Sequence, residues 1–176
     1  MKVTDYIAKF LLDKNIHIVF GVTGGSVVHF FDSIDKLDDI ETIFTHHEQA
    51  ATYAASGYSR INGIACAIVT TGPGGTNAIS GVAAMYLDSI PCIIISGQTR
   101  YDQCNYCKPV RQIGTQAMDI VSLVKPIVKE VMILDDVSNL GSMLEHMYKV
   151  ATTGRPGPVW IDVPLDFQWA DYEEDQ

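Results

Sequence analysis

The sequence has few cysteines, few basic residues and no long apolar run. Four cysteines among 176 residues are too few for a disulfide scaffold, which indicates a reducing compartment. The chain holds 12 Lys and Arg against 21 Asp and Glu, a net charge of -9, and no basic cluster occurs, so no nucleic acid partner is expected. The best apolar run, 90–95, has the length of a strand and contains Pro91, so no membrane span is expected.

The N-terminus becomes amphipathic from Val3 onward and lacks the features of a secretory signal, so we expect a cytoplasmic protein. The length is that of one ordinary domain. Hydrophobic residues make up 47% of the chain, which predicts a packed fold. We assign residues 1–168 to one domain and the acidic residues 169–176 to a tail or the start of an interdomain linker.

Short apolar runs alternate with segments of helical periodicity along the chain. The runs at 64–70 and 90–96 are almost entirely apolar, as in strands that are buried on both faces. No hairpin dipeptides separate the strands and helices. The pattern predicts an α/β protein with a doubly wound, mainly parallel sheet and helices on both faces.

Three polar or glycine-rich turns, 21–25, 45–48 and 70–77, follow predicted strands. Ligands bind at the carboxyl ends of parallel strands, so these turns are expected to converge on a site. The third turn fits neither common phosphate motif, because it lacks a Lys-Ser/Thr pair and has Asn77 where the dinucleotide fingerprint needs glycine. A plain tight turn would explain its glycines and leave Asn77 without a role.

Glu48 follows a predicted strand and opens an Ala-rich helix. Its carboxylate would project from the sheet edge toward the other two turns. A carboxylate among small and apolar residues is poorly solvated, which suits proton exchange with a bound heterocycle. The alternative is a first-turn glutamate that only stabilises the helix dipole.

Six motifs follow one another along nearly the whole chain. They are FGVTGG at 20–25, HEQAA at 47–51, TGPGGTN at 71–77, MYLDSIP at 85–91, SGQ at 96–98 and GRPGPVWIDVP at 154–164. In this order they resemble the N-terminal pyrimidine-binding domain of thiamine diphosphate enzymes, specifically the acetolactate synthase-like group.

The resemblance implies the thiamine diphosphate-binding fold and a lyase or transferase that acts on a 2-keto acid. It implies that Glu48 hydrogen-bonds N1′ of the aminopyrimidine of thiamine diphosphate and favours its imino tautomer, which removes the C2 proton. By the same resemblance, His47 and Gln116 lie near the substrate. The residues implied to line the cofactor pocket are Gly24, Gly25, Glu48, Thr71, Pro73, Gly74 and Asn77.

Three departures from the family pattern concern the turns and the substrate. Thr23 stands where these enzymes commonly have proline, and Gly75 stands where acetolactate synthases commonly have alanine. The segment 115–117 reads TQA instead of Phe-Gln-Glu and keeps only the glutamine. Because this segment borders the reaction space in the family, decarboxylation and carboligation both remain open.

The family's diphosphate and metal motif, Gly-Asp-Gly followed by Asn, does not occur in the sequence, so no metal site is expected in this chain. The resemblance implies that Mg²⁺ is bound by a domain or subunit outside the chain, and an FAD in a further domain is compatible with it. It also implies that each site joins this domain to the diphosphate-binding domain of another subunit in a homo-oligomer, a dimer or tetramer. The isolated chain is expected to be inactive.

Three explanations of the missing motif stay open. The chain is the first domain of a longer polypeptide, which the acidic tail favours, or the small subunit of a two-chain keto-acid decarboxylase. The third is a noncatalytic binding or regulatory domain that kept the fold. Separately, Cys104 and Cys107 have a spacing that zinc sites and redox pairs use, but no second cysteine pair completes a zinc site, so neither use is favoured.

Overall fold

The computed structural model describes residues 1–104 and 110–173. Its centre is a six-stranded sheet in the order β2-β1-β3-β4-β6-β5, and every neighbouring pair is parallel. The strands are β1 (Ile18–Gly21), β2 (Glu41–Phe44), β3 (Ala65–Val69), β4 (Cys92–Gln98), β5 (Glu130–Ile133) and β6 (Pro158–Pro164). The predicted doubly wound α/β class is confirmed.

Helices cover both faces of the sheet: α1, α2 and α6 pack on one face, and α3, α4 and α5 pack on the other. Within the described part of the chain, no helix has the length and apolar character of a membrane span. The helices are α1 (Val3–Asp13), α2 (Val28–Ile34), α3 (Glu48–Asn62), α4 (Pro73–Asp88), α5 (Ile120–Val124), α6 (Leu140–Thr152) and α7 (Leu165–Gln168).

The central strands are buried on both faces, which explains their continuous apolar runs. In β4, Ile93 and Ile95 contribute to the core under α1, α2 and α6. Cys92 and Ile94 contribute to the core under α3, α4 and α5. Side chains alternate along a strand, so a strand between two helix layers needs apolar residues at every position.

Two element boundaries differ from those predicted. The pattern after the third turn predicts a helix from Thr76, but helix α4 begins three residues earlier, at Pro73, because proline is accommodated in a first helical turn. The apolar residues at 127–131 predict a strand there, but the strand lies slightly later, at Glu130–Ile133. The short helix α7, directly after β6, was not predicted.

The described part of the acidic tail packs against the start of the chain. Lys2 and Asp171 form an isolated antiparallel bridge, and the backbone N–H of Tyr172 donates to the carbonyl oxygen of Met1 at 2.8 Å. The side chain of Tyr172 is buried in the core beside α1. Residues 174–176 lie outside the described residues, and the domain boundary at residue 168 stays a prediction.

The sheet order reverses direction between β1 and β3. From β1 the chain moves outward to β2, and from β3 it moves the other way to β4. The crevice at the carboxyl ends of such a pair is the usual ligand site of an open α/β sheet. The turns after β1 and β3 therefore flank the position where a ligand is expected.

Candidate functional site

Glu48 is the first residue of α3, and its side chain turns toward α4. The residue is only 8% exposed, and its Oε2 accepts a hydrogen bond from Asn77 Nδ2 at 3.0 Å. Across residues 1–104 and 110–173, no second hydrogen bond to this carboxylate is present. Glu48 thus lies in the first turn of its helix, where it can stabilise the helix dipole. It also makes a specific contact with Asn77, which the dipole explanation alone does not require.

Gly74 leaves room beside the second carboxylate oxygen of Glu48. A Cβ atom at Gly74 would lie 3.3 Å from Glu48 Oε1 and 2.6 Å from Thr70 Cγ2. A side chain at this position would therefore press on both neighbours. The absence of a Cβ lets both Thr70 Cγ2 and Glu48 Oε1 approach the start of α4 closely.

The turn after β1 touches the turn after β3 through Gly24. A Cβ atom at Gly24 would lie 2.6 Å from both Cβ and Oγ1 of Thr70, so only glycine allows this approach. Gly25 is different, because a Cβ atom there would meet nothing within 4 Å. The structure brings Gly24 to the third turn, whereas packing places no demand on Gly25.

Thr71 and Gly72 bring Gln116 to the third turn. Thr71 is buried, and its Oγ1 lies 3.4 Å from the carbonyl oxygen of Gln116. Gly72 has a φ of +61°, and a Cβ atom there would lie 2.7 Å from the same carbonyl oxygen. Gln116 itself has a φ of +59° and an exposed side chain, while Pro73 is exposed at the start of α4.

His47 caps the N-terminus of α3. Its Nδ1 accepts a hydrogen bond from the backbone N–H of Gln49 at 3.2 Å, and Thr45 Oγ1 donates to the carbonyl oxygen of His47 at 2.8 Å. The imidazole is exposed. A cap that uses Nδ1 leaves Nε2 as the ring nitrogen directed away from the helix.

Gln98 and Asp162 contribute to the site but were not predicted as candidate residues from the sequence. Both are almost completely buried, at 1% and 0% exposed, and Gln98 Oε1 accepts a hydrogen bond from Thr71 Oγ1 at 2.6 Å. The available signal was a polar residue inside an otherwise apolar strand, since β4 and β6 are buried at every position. A buried polar side chain is nearly always hydrogen-bonded, which makes it informative.

Of the two cysteines Cys104 and Cys107, the structure describes Cys104. Cys104 is buried, and its Sγ donates to the carbonyl oxygen of Arg100 at 3.3 Å, whereas Cys107 lies outside the described residues. Elsewhere in the described part of the chain, no group of three or more His, Cys, Asp or Glu side chains is placed to hold a metal ion.

The chain matches a family described as "Thiamine pyrophosphate enzyme, N-terminal TPP binding domain" over residues 1–123. It is 39% identical over 163 residues to the acetolactate synthase large subunit of Haemophilus influenzae, which covers 92% of this chain and 27% of that protein.

Two further relatives give the same result. The acetolactate synthase isozyme 3 large subunit of Escherichia coli is 34% identical over 163 residues, with 92% of this chain and 27% of that protein covered. The probable acetolactate synthase large subunit of Methanocaldococcus jannaschii is 38% identical over 172 residues, with 96% and 27% covered. The chain therefore spans 27% of the length of each of these relatives.

Proposed function

Because the chain belongs to the thiamine pyrophosphate enzymes, as their N-terminal cofactor-binding domain, we propose that its Glu48 site binds the aminopyrimidine of thiamine diphosphate. We further propose that the whole protein converts 2-keto acids, as an acetolactate synthase-like carboligase or decarboxylase. One observation carries the proposal: a nearly buried carboxylate has one oxygen held by Asn77 and the other next to a glycine.

The residues of the site fit the cofactor. A flat pyrimidine ring needs access to its hydrogen-bonding partner. Gly74 places no side chain beside Oε1 of Glu48, and Gly24 lets the turn after β1 pack closely against Thr70. When bound, thiamine diphosphate supplies the electron sink for cleavage of the bond to the keto-acid carboxylate. The residues proposed to line its pocket are Gly24, Gly25, Glu48, Thr71, Pro73, Gly74 and Asn77.

The hydrogen bond from Asn77 determines which oxygen of Glu48 exchanges a proton. The amide Nδ2 can only donate, so it keeps Oε2 as an acceptor. Any proton carried by Glu48 then resides on Oε1, the oxygen beside Gly74. With the pyrimidine bound, Glu48 would hold this proton at Oε1 and act there as a general acid-base toward N1′.

The remaining parts of the reaction lie at the edge of this chain or beyond it. We propose that His47, through Nε2, and Gln116 face the 2-keto acid. Mg²⁺ and the diphosphate would be held by the diphosphate-binding domain of another subunit in a homo-oligomer, and an FAD, where present, by a further domain. The cytoplasmic location predicted from the sequence is part of the same proposal. Since 115–117 departs from the family pattern, the proposal names a substrate class and no particular acid.

The proposal is tested by Glu48→Gln in the full-length protein. Glutamine keeps an oxygen for Asn77 and removes the proton-accepting group. We expect exchange of the cofactor's C2 proton in deuterated buffer, followed by NMR, to slow by about 100-fold or more. The matched control is Glu41→Gln, which removes the same charge from an exposed position at the amino end of β2 and should leave the exchange rate unchanged.

An exchange rate in Glu48→Gln equal to that of the wild type would remove Glu48 from the mechanism and favour the noncatalytic alternative.

A second measurement tests the shared site. The isolated chain should bind thiamine diphosphate weakly and show no turnover, so binding with a Kd below about 1 μM would contradict the shared site. The coding sequence beyond Gln176 distinguishes a longer polypeptide, which would continue to a Gly-Asp-Gly and Asn motif, from a separate small subunit.

A further inference from the structure

A line of buried polar side chains runs behind the site, from β6 through β4. Trp160 Nε1 donates to Ser96 Oγ at 2.8 Å, and Ser96 Oγ in turn donates to Asp162 Oδ1. Gln98 Nε2 donates to the other oxygen, Asp162 Oδ2, at 3.2 Å. Asp162 thus accepts at both oxygens, from Ser96 Oγ and from Gln98 Nε2.

Gln98 connects this line to the site. Its Nε2 also donates to the carbonyl oxygen of Met118 at 3.1 Å. Its Oε1 accepts from Thr71 Oγ1 at 2.6 Å and from the backbone N–H of Thr99 at 3.1 Å. The Thr99 N–H can only donate and Asp162 only accepts here, so the amide of Gln98 has a single orientation that satisfies both sides.

The orientation of Gln98 reaches two parts of the site at once. One is the third turn, through the hydroxyl of Thr71. The other is the segment 114–119, which contains Gln116. Gln98 donates a hydrogen bond to the carbonyl oxygen of Met118 in this segment. Gln116 also lies against Thr71 and Gly72, so one buried amide links the turn and the segment.

We propose that Gln98, oriented by Asp162, is the positioning residue that holds Gln116 and Thr71 in place for the substrate and the cofactor. The inference rests on the proposed function, which puts Gln116 at the 2-keto acid and Thr71 at the pyrimidine. A residue with only a space-filling role in these strands would be apolar, since burial of a carboxylate and an amide is costly unless both are fully hydrogen-bonded.

The test exchanges the acid and the amide across the 3.2 Å bond between Gln98 and Asp162. In the full-length protein, Gln98→Glu keeps an acceptor for Thr71 and Thr99 but turns an oxygen toward two other oxygens, those of Asp162 and Met118. The double variant Gln98→Glu with Asp162→Asn returns a donor to this bond. The control is Thr4→Val, which removes the buried hydroxyl that donates to Gln168 O at 3.1 Å, against the helix layer on the other face of the sheet.

Backbone hydrogen exchange by mass spectrometry is the first readout. In Gln98→Glu we expect exchange in 114–119 to accelerate about tenfold or more beyond that of α1 and α6. The double variant restores the bond to residue 162 but no donor to the carbonyl oxygen of Met118, so we expect β4 and β6 to regain wild-type protection while 114–119 stays fast. The second readout is steady-state kinetics with pyruvate as the probe 2-keto acid, for which KM should rise about tenfold with a smaller change in kcat. Thr4→Val should change exchange evenly and leave KM as in the wild type.

The proposal is overturned if Gln98→Glu accelerates exchange evenly over the molecule, as a purely structural residue would. It is also overturned if the double variant folds and 114–119 is as protected as in the wild type, because the donor to the carbonyl oxygen of Met118 is then not what holds the segment. That second comparison carries the test if Gln98→Glu alone does not fold. The outcome is separable from that of the Glu48 experiment, because hydrogen exchange in 114–119 does not require the cofactor.

Discussion

Thr52 of α3 and Gly81 of α4 are in direct contact, and any side chain at Gly81 would overlap Thr52 Oγ1. Thr52 lies one helical turn after Glu48, and Gly81 lies one turn after Asn77. The hydroxyl of Thr52 also sits 3.4 Å from the carbonyl oxygen of Ala78 in the facing helix. This close approach of the two helices permits the 3.0 Å hydrogen bond between Glu48 and Asn77.

Gly81→Ala is expected to separate the two helices at the site. The added methyl group overpacks a buried contact, which should lower the free energy of unfolding by about 1 to 3 kcal/mol, as measured by urea denaturation. Binding of thiamine diphosphate by the full-length protein should weaken as well.

The control is Gly57→Ala, also within a helix, where a Cβ would meet nothing within 4 Å. It should be neutral or stabilising by up to about 1 kcal/mol. Equal effects of the two changes would contradict the role of the contact.

Asp32 gives the fold a pH-dependent contribution. Hydrogen bonds from Lys36 and Lys2 lower the pKa of Asp32 to about 2, from a usual value of 3.8. A lowered carboxyl pKa stabilises the folded state above pH 3.8, and this contribution disappears as the pH falls toward 2. Asp32→Asn should therefore lower Tm at pH 6 by a small amount, and the difference from the wild type should shrink below about pH 4.

The matched control for this measurement is Asp38→Asn. Asp38 is exposed in the same part of the chain, and it takes part in none of the ion pairs formed by the described residues. Added salt should also shrink the effect of Asp32→Asn, since exposed ion pairs are screened. A difference in Tm that stays constant from about pH 6 to about pH 3 would exclude the ion pairs as its cause.

Cys66 and Cys92 are expected to resist alkylation in the folded protein. Burial raises the pKa of both thiols, and the thiolate is the reactive form. Iodoacetamide at about pH 8 should modify them at least about 100-fold more slowly in buffer than in urea, as peptide mass spectrometry would measure. Rapid labelling in buffer would show that the sheet opens locally at these strands.

The same burial gives a second pH dependence of stability. A raised thiol pKa contributes stability below the ordinary value of 9.0, and the contribution is lost as the pH rises, because only the unfolded chain then ionises. Replacing Cys92 with serine should weaken this loss above about pH 9. A wild-type protein whose unfolding free energy does not fall over that range would contradict the burial of these thiols.

The strands and helices could be predicted because their signals are local. The apolar run at 90–96 indicates a strand buried on both faces. The Ala-rich segment after His47 indicates a helix, because alanine has a high helix propensity. Boundaries were less secure: α4 starts at Pro73 and α7 follows β6 directly. Both depend on how the chain packs after leaving a strand, which periodicity does not record.

The sequence by itself determined the α/β class, the family and the identity of Glu48 and Asn77 as candidates, because spaced motifs and strand-helix alternation are properties of residue order. Only the tertiary structure decided that Asn77 donates to Glu48, and that Gly24 and Gly74 both approach Thr70. These contacts join residues far apart in the chain, and their distances depend on how helices pack across the sheet. The link from Asp162 through Gln98 to the site was equally hidden, since hydrogen-bond partners across neighbouring strands follow from register.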